Sequence, residues 1–532
     1  MEKRRTIYLR AMYYFLFSVV AIVLFLNKFD VFKYFDVDLL WHIRVGEDIV
    51  CNRSISIINN YSWIEGTLWT QHEWLFDVVI YLVSKHLNVF GYMFIGLLII
   101  GLTYAIPYII NNWKYRILSL LMYYSMYYVF SVNTINRPVW YSVFTILAIM
   151  IVFDTKRLSN TKKLMLFAFL GVLLSNFHAG MIVAALAVLV LNIVFEIFFV
   201  QKLGGDNCKK RKIFLISYAI AFLFGYMVNP LGPYRFVEMF KVAYHPSTSH
   251  IPEWSPVSVS SAMAAFVIAL MFFSIGYGFS VAYKAKDVME CRRSVVVCAI
   301  ICLGLMSQKS AVVVILFFMS YAYRNIEIVI DDVLLGKAGL QRKIESINLH
   351  DGYMIKGLPV VLVAFVSLII TIPFVSHFQS FDDYAKHGFH PSYYVDMYDS
   401  DKCLEDIVSQ DILDYLKSES DQEGFSILNS YIMGNYLVWE RIPTFVDSRQ
   451  QPYSSGITDS DCSSFDELIA LSSADEDEFQ SFLDKYEFEY VIIGNSYVVY
   501  NAALTRNMNQ TNNYELIMYD ETSDCSLYHR IE

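Results

Sequence analysis

The chain has 532 residues, of which 56% are hydrophobic and only 17% charged, and its formal net charge is −10. Soluble domains carry about 25% charged residues, so the composition excludes a string of ordinary soluble domains. The acid excess sits at one end, in residues 378–532, which hold 30 acidic and 8 basic side chains. That part is unsuited to nucleic acid.

The apolar residues fall in blocks of about 15–25, long enough to cross a hydrocarbon core as helix. Helices satisfy their own backbone in lipid, where an unpaired amide finds no partner. The first block runs from Ile7 to Leu26 behind Lys3, Arg4 and Arg5, with no small-residue cleavage site after it, and so reads as an uncleaved span with a cytoplasmic N-terminus. Further blocks lie near 90–110, 116–131, 138–154, 162–175, 179–200, 213–228, 261–283, 293–306, 310–323 and 357–376, which makes about eleven spans. The basic loops Asp154–Lys163, Gln201–Lys212, Lys284–Arg293 and Arg324–Lys356 then all fall inside, as the positive-inside rule requires. The fold class expected is an α-helical polytopic protein of the plasma membrane. Residues 1–377 form the membrane part, including an outer loop at 27–89, and residues 378–532 form an extracytoplasmic acidic α/β domain. The eight cysteines show no metal-ligand spacing; Cys51, Cys403, Cys462 and Cys525 face outside on this topology, where a disulfide is open to them.

The loop at 27–89 carries the strongest chemical signal. Asp36 and Asp38 stand at the outer end of the first span. Trp41, His42, Ile43, Val45 and Ile49 then give the stripe of a helix lying at the membrane surface. After a turn-rich stretch, Gln71, His72 and Glu73 open a second helix carried by Trp74, Leu75, Val78, Val79 and Leu82. Asp38 and Glu73 can therefore meet at the mouth of a bundle. One carboxylate there can take a proton from a hydroxyl, or two can hold a divalent metal against a phosphate. The plainer alternative is that Asp36 caps a helix and Glu73 merely suits a helix N-terminus.

Other outer loops add polar groups at the same depth. Asn136-Arg137-Pro138 closes one pair of spans and Asn176-Phe177-His178-Ala179-Gly180 another. Asn229–Arg235 opens a longer loop with His245, His250, Glu253 and Trp254, and Ser307-Gln308-Lys309-Ser310 closes the next pair. Ionisable groups at membrane depth are costly and usually face a functional cavity. Arg137, Arg235 and Lys309 together suit a lipid phosphate, the alternative being separate anchors that snorkel to headgroups. A lone His178 is more often a hydrogen-bonded core histidine than a base. In the tail, Phe425–Leu428 and Tyr490–Gly494 read as buried strands, and Asp401–Lys417 and Ser464–Tyr486 as helices. Asp447 and Arg449 follow strand-like Thr444-Phe445-Val446, either as a ligand site or as a structural pair.

Asp36-x-Asp38-Leu-x-Trp41-His42-x-Arg44-x-Gly46, followed by Trp69-x-Gln71-His72-Glu73-Trp74-Leu75, resembles a bacterial branch of the GT-C membrane glycosyltransferases. That branch is similar in plan to protein mannosyltransferases and lipid A aminoarabinose transferases. The resemblance continues through Asn136-Arg137-Pro138, Asn176-x-His178-Ala179-Gly180 and Asn229-Pro230-x-Gly232-x-x-Arg235. It reappears in the tail at Asn429-Ser430-Tyr431-x-x-Gly434-Asn435-Tyr436-Leu437 and Phe445-Val446-Asp447-Ser448-Arg449. It departs from that branch at Leu40, where a second tryptophan is expected, and at Gln308-Lys309, where an arginine is. The resemblance implies a polyprenyl-phosphate sugar donor, inverting transfer on the outer face and a glycan, lipid or protein acceptor. Its catalytic acid maps to Asp38, or to Asp36, and a second one to Glu73; His72, Arg137, His178, Arg235, Glu253 and Lys309 are then substrate-binding candidates. Two other classes compete: a flippase of lipid-linked saccharide, and a non-catalytic assembly protein of the cell envelope. Transporters often carry inverted repeats, and none is found in this sequence.

Overall fold

The computed structural model describes residues 37–111, 116–129, 137–199, 209–259, 262–330, 408–458, 461–494, 499–508, 511, 513–521 and 523–531. The first and last expected spans, Asp36, Asn136 and Cys403 lie outside them. The chain divides into two compact units. One takes Met1–Tyr34, Met93–Val228 and Pro252–Asp383; the other takes Phe35–Tyr92, Asn229–Ile251 and Tyr384–Glu532. Helix α1 is Asp38–Asn52. Helix α2 is Trp74–Asn111, one element of 38 residues where the sequence suggests a surface helix and a separate span.

Among its described residues the first unit consists of helices joined by short loops. Its helices are α3 (Arg116–Val129), α4 (Val139–Asp154), α5 (Asn160–Phe177), α6 (Ile182–Phe198) and α7 (Lys209–Tyr226). Past a loop come α9 (Ala262–Lys284), α10 (Val288–Leu305), and α11 (Ala311–Phe317), which passes through a π-helical turn at Phe318–Ala322 into α12 (Tyr323–Val329). Ala179–Phe198, Ala264–Lys284 and Gln308–Val329 are long and apolar enough to cross a membrane. Short polar signals set the helix ends. Ser159 accepts from Lys162 N at the start of α5, and Asp287 accepts from Met289 N and Glu290 N at the start of α10. Helices α5 and α7 approach closely because Gly171 and Gly225 lack a Cβ; one added at Gly225 would overlap the Ala168 carbonyl. Charges at the ends of α4, α6 and α10 interlock: Arg292 pairs with both Asp154 and Glu196, and Arg293 holds Asp154 at 2.7 Å.

The second unit is built around a four-stranded sheet of order β1-β2-β4-β3. Strand β1 is Ile427–Leu428, β2 Tyr490–Ile493, β3 Tyr514–Asp520 and β4 Cys525–Arg530. Strands β1 and β2 are parallel, and β4 runs antiparallel to both β2 and β3. Around it lie α8 (Tyr234–Tyr244), α13 (Gln410–Glu419), α14 (Met433–Glu440), α15 (Ser464–Ala470), α16 (Glu476–Tyr486) and α17 (Val499–Met508). The single helix expected over Ser464–Tyr486 is two, because Asp475 and Glu478 form a capping box that starts a new helix. The core joins Phe445, Tyr453, Phe465, Phe479, Phe482 and Phe488 with Val491 and Ile493 of β2. Cys51 and Cys462 are free thiols.

Candidate functional site

Three stretches distant in sequence meet in the second unit: the outer loop, the segment around α8, and the tail. Helix α1 presents Trp41, Val45 and Ile49, four residues apart and therefore on one face. That stripe packs against Trp69 and Val438 rather than a membrane surface. Gly46 allows the close approach of α2. A Cβ there would overlap the Asp77 carbonyl and stand 2.8 Å from Tyr81 Cβ.

Asp38 is the first residue of α1. The N-cap is Val37, with no side-chain cap; Asp36, the cap expected in the plainer alternative, lies outside the described residues. The Asp38 carboxylate is half-buried and accepts hydrogen bonds from Ser448 Oγ at 2.6 Å and Asn435 Nδ2 at 3.4 Å. Asn435 in turn accepts from Ser448 N at 3.2 Å. The tail segment that supplies Ser448 is itself stapled. Asn429 donates to Val446 O at 2.7 Å and accepts from Phe445 N at 2.9 Å, and Tyr431 OH donates to Ser448 O at 2.5 Å. Gly434 has no Cβ to collide with Val446 O or Asp447. These tail motifs thus act together to hold one hydroxyl against Asp38.

Glu73 immediately precedes α2 and is buried, with Oε2 3.7 Å from His42 Nε2 and Oε1 3.5 Å from His72 Nε2. His42 lies four residues before Gly46, so the same helix face that meets the Asp77 backbone carries the ring whose Nδ1 is 2.5 Å from Asp77 Oδ1. Burial pushes the Asp77 carboxyl up to about 6, against the pull of His42. Asp77 was not among the sequence candidates. The available signal was its place four residues after Glu73, one helical turn along the same face.

Arg235 is fully buried in the first turn of α8, paired with Glu238 and directed at the carbonyls of Thr70, at 3.5 Å, and Gln71, at 3.3 Å. It braces the turn that delivers Glu73. Asp447 and Arg449 form a buried pair with each other, Arg449 Nε donating to Asp447 Oδ1 at 2.7 Å. The guanidinium lies between the rings of Trp69 and Tyr61, at 4.5 and 4.7 Å. Of the two readings of Asp447 and Arg449, this geometry is the structural one.

The other candidates belong to the first unit. Arg137 Nη1 lies 2.5 Å from Glu253, and Lys309 Nζ lies 3.8 Å from the same carboxylate. Burial opposes ionisation of Glu253, but Arg137 and Lys309 outweigh it and hold the carboxyl below the usual range. Ser307 Oγ donates to Glu253 O at 3.1 Å. His178 is buried, with Nδ1 3.1 Å from Ser142 Oγ, a hydrogen-bonded core position. Among the described residues no group of three His, Cys, Asp or Glu side chains is arranged to hold a metal ion.

No protein-family model and no curated protein matches the sequence. Solved structures do. The archaeal oligosaccharyltransferase AglB from Archaeoglobus fulgidus, in complex with an inhibitory peptide and a dolichol-phosphate, matches 98% of this chain and 75% of its own, at 12% identity and a TM-score of 0.54. The same organism's oligosaccharyltransferase tethered to an acceptor peptide matches 98% of this chain and 74% of its own, at 12% identity and a TM-score of 0.51. The chain shares the fold of these oligosaccharyltransferases. ArnT from Cupriavidus metallidurans, bound to undecaprenyl phosphate, matches 98% of both chains at 11% identity and a TM-score of 0.48. At such identities the GT-C likeness is one of fold, and this chain's chemistry has to be argued from its own side chains.

Proposed function

We propose that this GT-C protein transfers a sugar from a polyprenyl-phosphate donor to an acceptor hydroxyl or amide on the outer face of the membrane, with inversion at the anomeric carbon. The observation that carries the reading is the anchoring of Asp38. A carboxylate at the start of the outer loop is aimed by Ser448 and Asn435, 410 and 397 positions away in sequence. Neither is needed to cap α1, whose cap is backbone alone. Holding a reacting carboxylate in one orientation is what a transferase gains from such supports.

In this reading Asp38 and Glu73 are the two acceptor-side carboxylates, one of which takes the acceptor's proton. Arg137 and Lys309, drawn together by Glu253, are the cations assigned to the donor phosphate, where charge develops as the glycosidic bond to phosphate breaks. Arg235 has a bracing role through Thr70 and Gln71. About eleven spans, a cytoplasmic N-terminus and an outer tail complete the reading. A reporter active only in the cytoplasm, fused after Glu532, is then silent.

The test of the chemistry is Asp38→Asn in the full chain, assayed in membranes against polyprenyl-phosphate sugars. The amide keeps the size and can still accept from Ser448, so the variant folds and retains donor. Turnover falls by about 10²–10⁴-fold, as for loss of a general base or an aligned carboxylate. Full turnover by Asp38→Asn, with Asp36 also neutralised, ends the reading.

A further inference from the structure

Four ionisable side chains of the second unit stand in a row: His72, Glu73, His42 and Asp77. The successive gaps are 3.5, 3.7 and 2.5 Å. Side-chain exposure falls along the row, from 16% at His72 to 7% at Glu73, 3% at His42 and 0% at Asp77. The row therefore runs from a partly wetted end to a dry one.

Its protons are constrained by donor and acceptor chemistry. A carboxylate only accepts, so the short His42–Asp77 bond puts a proton on Nδ1. Nε2 of His42 then faces the second carboxylate, Glu73. A bare ring nitrogen and a carboxylate oxygen are both acceptors, and they attract only if one proton lies between them. The ring has no freedom to turn away. Trp41 stacks on it with centroids 3.6 Å apart, and Phe76 meets it edge-on at 4.8 Å. Among the described residues Asp77 Oδ2 is buried with no hydrogen-bond partner, so His42 is the one hydrogen-bond partner of the Asp77 carboxyl there. The charged groups acting on the dry end are Glu73 and His42, from the two elements beside it, and Arg449 from the tail.

We propose that Glu73, rather than Asp38, takes the acceptor's proton, and that His42, fixed by Asp77, is the positioning residue that receives it from Glu73. The inference rests on the transferase reading above and assigns the proton within it. The acceptor O–H or N–H bond breaks and its proton bonds to a Glu73 oxygen. The freed electron pair bonds to the anomeric carbon, and the carbon–oxygen bond to the donor phosphate breaks with its pair on the phosphate. The proton then moves from Glu73 to Nε2 of His42, giving an imidazolium between two carboxylates. It leaves by way of Glu73 and His72, the wetted end. The two longer gaps exceed a hydrogen bond by about half an ångström, which a small side-chain rotation closes. Asp38 differs in kind: it accepts hydrogen bonds from a hydroxyl and an amide, which fix it as an orienting group.

The experiment uses the full chain in detergent, labelled with ¹⁵N-histidine, with His42 assigned by its loss in His42→Gln. The expected result is the Nδ1–H tautomer for His42 and an Nε2 signal that changes with pH and with Glu73→Gln. In the transfer assay, His42→Gln lowers kcat by about 10–100-fold, leaves KM for acceptor unchanged and moves the acid limb of the pH–rate profile. Where His42→Gln fails to fold, Asp77→Asn leaves the ring in place but frees its tautomer, and the same change in the profile is expected. Transfer with an Nε2–H tautomer, or with an unmoved profile in the variants, overturns the relay and leaves the transferase reading standing. The expected tautomer with no transfer from any polyprenyl-phosphate donor overturns the transferase reading and the relay's role with it.

Discussion

Replacing Gly46 by alanine tests the geometry of the outer-loop site without any substrate. The added Cβ would stand 2.8 Å from Tyr81 Cβ and overlap the Asp77 carbonyl. Carbon atoms in contact sit about 3.5–4.0 Å apart, so α1 and α2 must separate locally by about 1 Å. Both neighbours belong to α2, one of them backbone, so no flexible side chain can swing clear. Overpacking of this kind costs about 1–3 kcal/mol. The same opening stretches the 2.5 Å bond between His42 and Asp77 to the edge of hydrogen-bonding range, and a hydrogen bond to a charged group is worth about 1.5–3 kcal/mol. The two losses share one displacement and are not strictly additive, which gives about 3–5 kcal/mol in all. At about 2–4 °C per kcal/mol for a unit of this size, the melting midpoint falls by roughly 10 °C. Thermal unfolding of the detergent-solubilised chain measures it. Gly276→Ala is the control, because nothing lies within 4 Å of a Cβ there and alanine suits a helix interior better than glycine by about 0.5–1 kcal/mol. Equal midpoints for the two variants would refute the close approach of α1 and α2.

Two further outcomes follow from buried charge. Asp77 carries a folded-state value near 6 against an ordinary 3.8, so the unfolded chain releases this proton first as pH rises. Stability from this group is present below about 4 and lost as pH climbs to about 6, by on the order of 3 kcal/mol; Asp77→Asn removes that slope, so the parent-minus-variant difference in melting midpoint declines across the window. A difference that stays flat contradicts the buried placement of Asp77. Arg235 and Glu238 are buried together, so Arg235→Ala strands a charge and lowers stability by about 3–5 kcal/mol, whereas Arg235→Met with Glu238→Leu recovers most of it. Arg235→Ala that keeps full stability but loses affinity for polyprenyl phosphate would return Arg235 to the donor site.

The sequence by itself was enough for the membrane class, since hydrophobic length is a local property that lipid thickness reads directly. The described helices follow the apolar blocks. Strands β1 and β2 were legible as short apolar runs, Phe425–Leu428 and Tyr490–Gly494. Strands β3 and β4 were not named; in β3 the burial alternates weakly, with Leu516 and Tyr519 exposed. Within the site, Asp38, His72 and Glu73 could be named from position and motif, because acidic groups beside a span are conspicuous. Their partners could not. Asn435 and Ser448 stood in the tail motifs without a role, Asp77 and Glu238 outside any motif, and their roles come from what stands opposite them. Arg235 and Arg449 looked alike as cations beside motifs. The tertiary structure separates both from the paired but partly exposed Arg137 by burying them fully. A charge's function depends on the dielectric and the partners around it, and those are set by segments hundreds of residues away in sequence, which only the folded chain brings together.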